Sequence, residues 1–156
     1  MIKIQIPNFG DLELEHLVLD YNGTLAVDGI LLAGVEKRLI TLAQTLQVHI
    51  LTADTFGKAT SNLKNIPGKL HILKKNNEVM QKEEYVKQLG YQSVIAIGNG
   101  NNDRNMLKTV ALGIAVIGTE GCASTTIQNA DIIVTDINHG LELLLNPLRC
   151  KATLRY

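Results

Sequence analysis

The residues best suited to chemistry begin with Asp20. It closes the run His16-Leu17-Val18-Leu19-Asp20, an apolar stretch that delivers a carboxylate into the turn Tyr21-Asn22-Gly23-Thr24-Leu25. Burying a carboxylate at a strand end is costly unless a cation or hydrogen-bond donors compensate it. The plain alternative is an Asp that caps a turn. A second apolar run, Val94-Ile95-Ala96-Ile97, ends the same way, in Gly98-Asn99-Gly100-Asn101-Asn102-Asp103. Two such ends point to a phosphate and metal site. Asp20 could ligate a metal, attack a phosphoryl group to form an aspartyl-phosphate, or do both. A divalent cation would offset the charge that repels the incoming carboxylate. Mg²⁺ takes oxygen ligands and keeps several waters, so Asp20 and Asp103, helped by a backbone carbonyl near Asn22, suffice.

Thr52, in Ile50-Leu51-Thr52-Ala53-Asp54, would present a hydroxyl beside helix-starting N–H groups, an arrangement suited to a phosphate oxygen. It reads equally as a simple N-cap, or leaves that task to Asp54. Gly23 and Gly100 leave room for a phosphate to approach the backbone. Lys82 lies on the apolar stripe Val79, Val86, Leu89, where a charge either snorkels to solvent or reaches a buried anion. Lys74, Lys75 and Lys87 compete with it for the anion.

The elements that must position these groups alternate along the chain. Candidate strands are Leu17 to Leu19, Val48 to Leu51, Leu70 to Leu73, Val94 to Ile97, Ala111 to Val116 and Ile132 to Val134. An amphipathic helix with Val35, Leu39, Leu42 and Leu46 on one stripe separates the first two, and another carries Lys82 after the third. Continuous apolar strands alternating with helices predict a three-layer, Rossmann-like α/β fold, a parallel sheet covered on both faces. The alternation Ile2, Ile4, Ile6, then Leu12 and Leu14, reads as a small antiparallel addition. Val27-Asp28-Gly29-Ile30 signals a β-hairpin flap just after Asp20. Ligands of such sheets gather at the C-terminal strand ends, where strand order reverses. Asp20, Thr52 and Asn99 to Asp103 all fall there. Leu141 to Leu148 is apolar enough to be either core or interface.

With 156 residues the chain is expected to form one domain over residues 1–156. A hydrophobic content of 46% beside 19% charged residues is that of a soluble globular protein. No apolar run reaches the roughly 18 residues of a spanning helix, so no membrane role is expected. The alternating start, stopped at Pro7, is no signal peptide. Acidic and basic residues balance at 15 each, so no global field draws nucleic acid. Cys122 and Cys150 lack ligand-like spacing and fit free thiols in a reducing cytoplasm. Walker A, G-x-S-x-G and G-x-G-x-x-G strings are absent.

Together these segments resemble the haloacid dehalogenase-like hydrolase superfamily, and within it the soluble proteins similar to the phosphorylation domain of P-type ATPases. Asp20-Tyr21-Asn22-Gly23-Thr24-Leu25 is similar to the family's first motif, whose leading Asp is the nucleophile. Leu51-Thr52-Ala53-Asp54 resembles the second and Lys82 to Leu89 the third, which supplies the phosphate-neutralising lysine. Gly98 to Asp103 resembles the fourth, the acidic magnesium loop. The resemblance covers about Leu17 to Leu107, in family order. It implies catalytic roles for Asp20, Asn22, Thr52 and Lys82, and a Mg²⁺ site of Asp20, Asn22, Asn99 and Asp103. It also implies a phosphate cradle of Thr52, Ala53, Lys82 and Gly23.

Two departures matter. Phosphatases of this superfamily usually carry a second Asp where this chain has Asn22, and an amide cannot do general acid–base work. Asn99 stands where an Asp is common, so metal affinity should be weaker. Gaps of about thirty residues from Asp20 to Thr52 and from Thr52 to Lys82 leave no space for a cap domain. A capless member needs a large substrate or a neighbouring subunit, hence a homo-oligomer, to close its site. The expected activity is a Mg²⁺-dependent phosphohydrolase acting on a phosphorylated small molecule or phosphoprotein and favouring good leaving groups. The alternatives are a slow phosphoryl-binding switch and an inactive scaffold. A metal-free dehalogenase would have no use for the acidic loop.

Overall fold

Strand residues that alternate between two apolar faces dictate the architecture. The computed structural model describes residues 1–53 and 59–156. Its main sheet is six-stranded and wholly parallel, in the order β10-β9-β8-β3-β6-β7. These strands are β3 (His16–Asp20), β6 (Gln47–Thr52), β7 (Lys69–Ile72), β8 (Val94–Gly98), β9 (Leu112–Val116) and β10 (Ile132–Val134). Leu17, Leu19, Ile95 and Ile97 face one layer, made by helices α1 (Val35–Leu42), α2 (Ala59–Asn62), α6 (Ile137–Leu145) and α7 (Pro147–Leu154). Val18, Val94 and Ala96 face the other, made by α3 (Glu78–Gln88) and α4 (Arg104–Thr109). Helix α5 (Ser124–Gln128) precedes β10. The three-layer Rossmann-like reading therefore holds.

The second layer sits close because its sheet side chains are small. At Gly113 of β9 a Cβ would lie 2.4 Å from the Leu107 carbonyl oxygen, so only glycine lets α4 approach. That approach seats the loop ahead of α4, which carries Asp103, against the sheet.

The predicted N-terminal addition is the antiparallel pair β1 (Ile2–Ile6) and β2 (Gly10–Leu14), whose inward Ile and Leu residues join the first core. The flap is also present. Strands β4 (Ala26–Val27) and β5 (Ile30–Leu31) flank Asp28 and Gly29, both at positive φ, as a two-residue hairpin turn requires. Asn62 donates to the Tyr21 hydroxyl and to the Gly29 carbonyl, tying α2 to the flap. Helix α1 is shorter than its stripe: it ends at Leu42, and Leu46 is buried beyond it. Leu141 and Leu144 are core, whereas Leu148 is 80% exposed. Both cysteines are free. Among the described residues no helix is long and apolar enough to cross a membrane.

Between Asp20 and Thr52 the chain holds only the flap and α1, and from Ala59 to Lys82 it holds α2, β7 and the start of α3. No inserted cap lies among the described residues.

Candidate active site

Strand order places the site. The chain runs outward from β3 to β6 and β7, then returns to β8 on the other side of β3, so the order reverses at the β3–β8 junction. Register aligns Leu19 with Ile97 and Asp20 with Leu51, which brings Asp20, Gly98 and Thr52 to one rim. The turn after β3 is tight because the Tyr21 carbonyl accepts from the N–H groups of Thr24, Leu25 and Ala26. Gly23 (φ 80°) serves that turn, and a Cβ there would fall 2.5 Å from the Asn99 amide. The space its missing side chain leaves is thus taken by Asn99.

Lys82 settles the choice between snorkelling and anion binding. Its side chain is 1% exposed, and Nζ lies 2.6 Å from Asp20 Oδ1 and 2.6 Å from Asp103 Oδ1. Its competitors are elsewhere: Lys74 and Lys75 are exposed, and Lys87 pairs with Glu83 on the helix surface. Helix α3 is held in place by several polar ties. Gln81 bonds the backbone of Lys74 and Asn76, Glu78 accepts from Asn102, and Glu83 accepts from Asn105. The Tyr85 hydroxyl meets His49 Nδ1 at 2.9 Å, and His49 Nε2 meets His16 Nδ1 at 3.1 Å.

Two carboxylates share one ammonium, so with both ionised the buried triad carries a net charge of −1. Burial, and then the Asp103 charge, push the Asp20 pKa up to about 7, against the pull of Lys82 and Thr24. For Lys82 burial works against the charged form, but Asp103 and Asp20 outweigh it and hold the ammonium above the ordinary lysine range. Lys82 is therefore a permanent cation.

Asp103 sits under the cleft rather than on its wall. Its Oδ1 takes Lys82, and its Oδ2 accepts from the backbone N–H groups of Asn99 (3.0 Å) and Gly100 (2.9 Å). Gly98 makes the space for it, since a Cβ there would lie 2.4 Å from the Asp103 carboxyl carbon. The cleft above, about 220 Å³, is lined at its base by Asp20, Asn22, Thr52, Lys82 and Asn99, with Ala53 beside them. The neighbouring N–H groups expected to start a helix after Thr52, and the capping role of Asp54, fall outside the described residues.

A hard oxygen set is on offer there. Thr24, fully buried, places its hydroxyl 3.2 Å from Asp20 Oδ2 and 3.1 Å from Asn99 Oδ1, so it bridges these two oxygens. Asn22 Oδ1 is buried and has no hydrogen-bond partner among the described residues. The Asp20 and Asn99 oxygens, beside a triad that is negative once Asp20 is ionised, fit Mg²⁺. With Asn99 in place of a carboxylate, the set lacks one charge.

The sequence pattern did not reveal the mouth of the cleft. Glu78, Asn102 and Glu120 line it. Nor did it reveal the brace under the loop, where Asn99 Nδ2 donates to the Gly121 carbonyl and Thr126 donates to the Gly100 carbonyl. Glu120 follows the C-terminal end of β9, so the rule that picked out Asp20 and Asn99 would have found it had it been extended one strand further.

Residues 38–140 match the model of the haloacid dehalogenase-like hydrolases. An uncharacterised protein of Methanocaldococcus jannaschii is 56% identical over 73 residues, spanning 47% of this chain and 78% of that protein. A 3-deoxy-D-manno-octulosonate 8-phosphate phosphatase from Moraxella catarrhalis, solved with magnesium, phosphate and the sugar acid, superposes with a TM-score of 0.63. It is 17% identical, with 85% of this chain and 86% of that chain covered. The catalytic domain of the CPx-ATPase CopB-B superposes at 0.58 with 28% identity, over 75% of this chain and 46% of that one. The lysine on α3 and the acidic loop at the reversal of strand order both fall inside that match, which spans most of the chain, and the chain belongs to the haloacid dehalogenase-like hydrolases.

Proposed function

We propose that this hydrolase is a Mg²⁺-dependent phosphohydrolase working through an aspartyl-phosphate on Asp20 and favouring good leaving groups. The observation that carries the reading is Lys82, a buried cation 2.6 Å from the carboxylate at the strand end. In this scheme an Asp20 oxygen attacks phosphorus, the bond to the leaving group breaks, and its electron pair departs with that group. Water then attacks the acyl phosphate, releasing inorganic phosphate and restoring the carboxylate. Thr52, Ala53 and Lys82 hold the phosphoryl oxygens, with Gly23 keeping the turn open. Bound Mg²⁺, held by Asp20 and Asn99 with help from the backbone carbonyl at Asn22, would neutralise phosphoryl charge. Asp103 serves by fixing Lys82 and the loop backbone. Support for the metal comes from the oxygen set and from the magnesium in the Moraxella neighbour.

With an amide at position 22, no proton is offered to the leaving group from that side. The same amide favours a second reading, a phosphoryl switch whose aspartyl-phosphate is slow to hydrolyse. The test is phosphate release from acetyl phosphate, ATP and p-nitrophenyl phosphate, with and without Mg²⁺, beside Asp20→Asn. Magnesium-dependent release that vanishes in Asp20→Asn supports the enzyme. A persistent phosphoprotein without release supports the switch, and neither would sink both. The small cleft favours a phosphorylated small molecule over a phosphoprotein, and we place the protein in the cytoplasm.

A further inference from the structure

Among the residues that line the cleft, Asn22, Glu78 and Glu120 offer acceptors. Asn22 Oδ1 is buried and unpartnered among the described residues. Glu78 and Glu120 stand at the mouth, and no ion pair among the described residues involves either of them. The cation of the described lining, Lys82, is buried and already shared by two carboxylates. At about 220 Å³ the cleft also falls below the roughly 300 Å³ at which drug-sized ligands begin to fit. A leaving group placed here must be compact, must bring its own hydrogen-bond donors, and gains from positive charge. A nucleotide or a carboxylate leaving group would bring further negative charge toward Glu78 and Glu120.

We propose that the substrate is a phosphoramidate, a compact amine phosphorylated on nitrogen, selected by Asn22, Glu78 and Glu120. The proposal rests on the phosphohydrolase reading and names its substrate class. The nitrogen of a phosphoramidate carries its own extra proton near neutral pH. When Asp20 attacks phosphorus, the P–N bond breaks and its electron pair stays on nitrogen, so a neutral amine leaves without receiving a proton from the enzyme. The missing acid at position 22 is then no defect. The leaving nitrogen needs an acceptor beside it, and Asn22 Oδ1 is one. Water next attacks the aspartyl-phosphate, giving inorganic phosphate, the Asp20 carboxylate and a proton to solvent.

The experiment compares potassium phosphoramidate with acetyl phosphate in Mg²⁺, each kcat/KM divided by the uncatalysed rate, with Asp20→Asn as reference. Phosphoramidate is expected to lead by at least about tenfold, and Glu78→Gln and Glu120→Gln are each expected to narrow that lead by about three- to tenfold. If acetyl phosphate equals or exceeds phosphoramidate in an Asp20-dependent reaction, this inference falls while the phosphohydrolase reading stands. Where turnover is too slow to follow, intact mass after mixing with each donor reports phosphorylated protein. Preferential labelling from phosphoramidate supports the proposal, preferential labelling from acetyl phosphate overturns it alone, and no labelling from either overturns both readings.

Discussion

Replacing Lys82 by Met keeps the length of the side chain and removes its charge. In the native protein Nζ stands 2.6 Å from one oxygen each of Asp20 and Asp103 and is 1% exposed. Removing one partner of a buried ionic cluster costs about 3–5 kcal/mol, because the remaining charges lose their compensation. At roughly 2–4 °C per kcal/mol for a chain of this size, Lys82→Met should lower Tm by about 6–20 °C. The loss should depend on pH in a definite direction. Asp20 titrates near 7 when folded, against 3.8 when unperturbed, so the folded state binds more protons between those values. Stability from this group is full below about 4 and is lost as pH rises through about 7. Without Lys82 the Asp20 pKa rises further, so the deficit of the variant should be largest above pH 7 and shrink toward pH 5. Thermal unfolding of both proteins by circular dichroism at pH 5, 6, 7 and 8 measures it. A deficit under about 1 kcal/mol, or one unchanged across that range, would refute the claim that Lys82 compensates a buried carboxylate.

Three further outcomes are expected. Asn22→Asp supplies the missing acid and should raise turnover of alkyl phosphate monoesters by about 10²-fold or more; unchanged monoester rates would mean that position 22 does not face the leaving group. Asn99→Asp adds a charge across the Thr24 hydroxyl from Asp20 Oδ2 and should lower the Mg²⁺ concentration for half-maximal activity about ten- to a hundredfold, which a Mg²⁺ titration reads. Burial, with His16 and Lys69 nearby, depresses the His49 pKa from 6.5 to about 4. Unfolded chains therefore bind more protons in that window, and His49 costs stability as pH falls from about 6.5 to 4. His49→Gln should remove that loss, so its Tm relative to the native protein should rise as pH falls from about 6.5 to 4, and a difference that stays constant across that window would remove His49 as its source.

How much of this was legible in the sequence follows from the range of the interactions involved. Asp20, Thr52 and Asn99 could be read because each ends an apolar strand, a local pattern, and the sheet collects such ends on one rim. Lys82 could be read as an oddity on a helical stripe, but its partners lie 62 and 21 residues away, so only the packed helix showed which anion it meets. Asp103 was expected on the metal; the fold turns it under the loop, where two backbone N–H groups and Lys82 engage its oxygens. Glu78, Asn102 and Glu120 converge from α3, the Asn99–Asp103 loop and the segment after β9, and no spacing rule joins those elements. The His16–His49–Tyr85 chain likewise crosses β3, β6 and α3, and depends on a strand order that periodicity does not encode.

In the proposed reaction Asp20 starts as a quiet nucleophile. One of its oxygens receives the Lys82 ammonium and the other the Thr24 hydroxyl, so both carry a donor before any substrate arrives. A carboxylate held this way is dulled toward stray electrophiles in its surroundings. In that reaction an incoming phosphoryl dianion would compete for the same ammonium and, in drawing Lys82 toward itself, would unmask the attacking oxygen. Recognition and arming thus become one event, and a carboxylate-directed reagent without a phosphate-like charge should meet an inert residue.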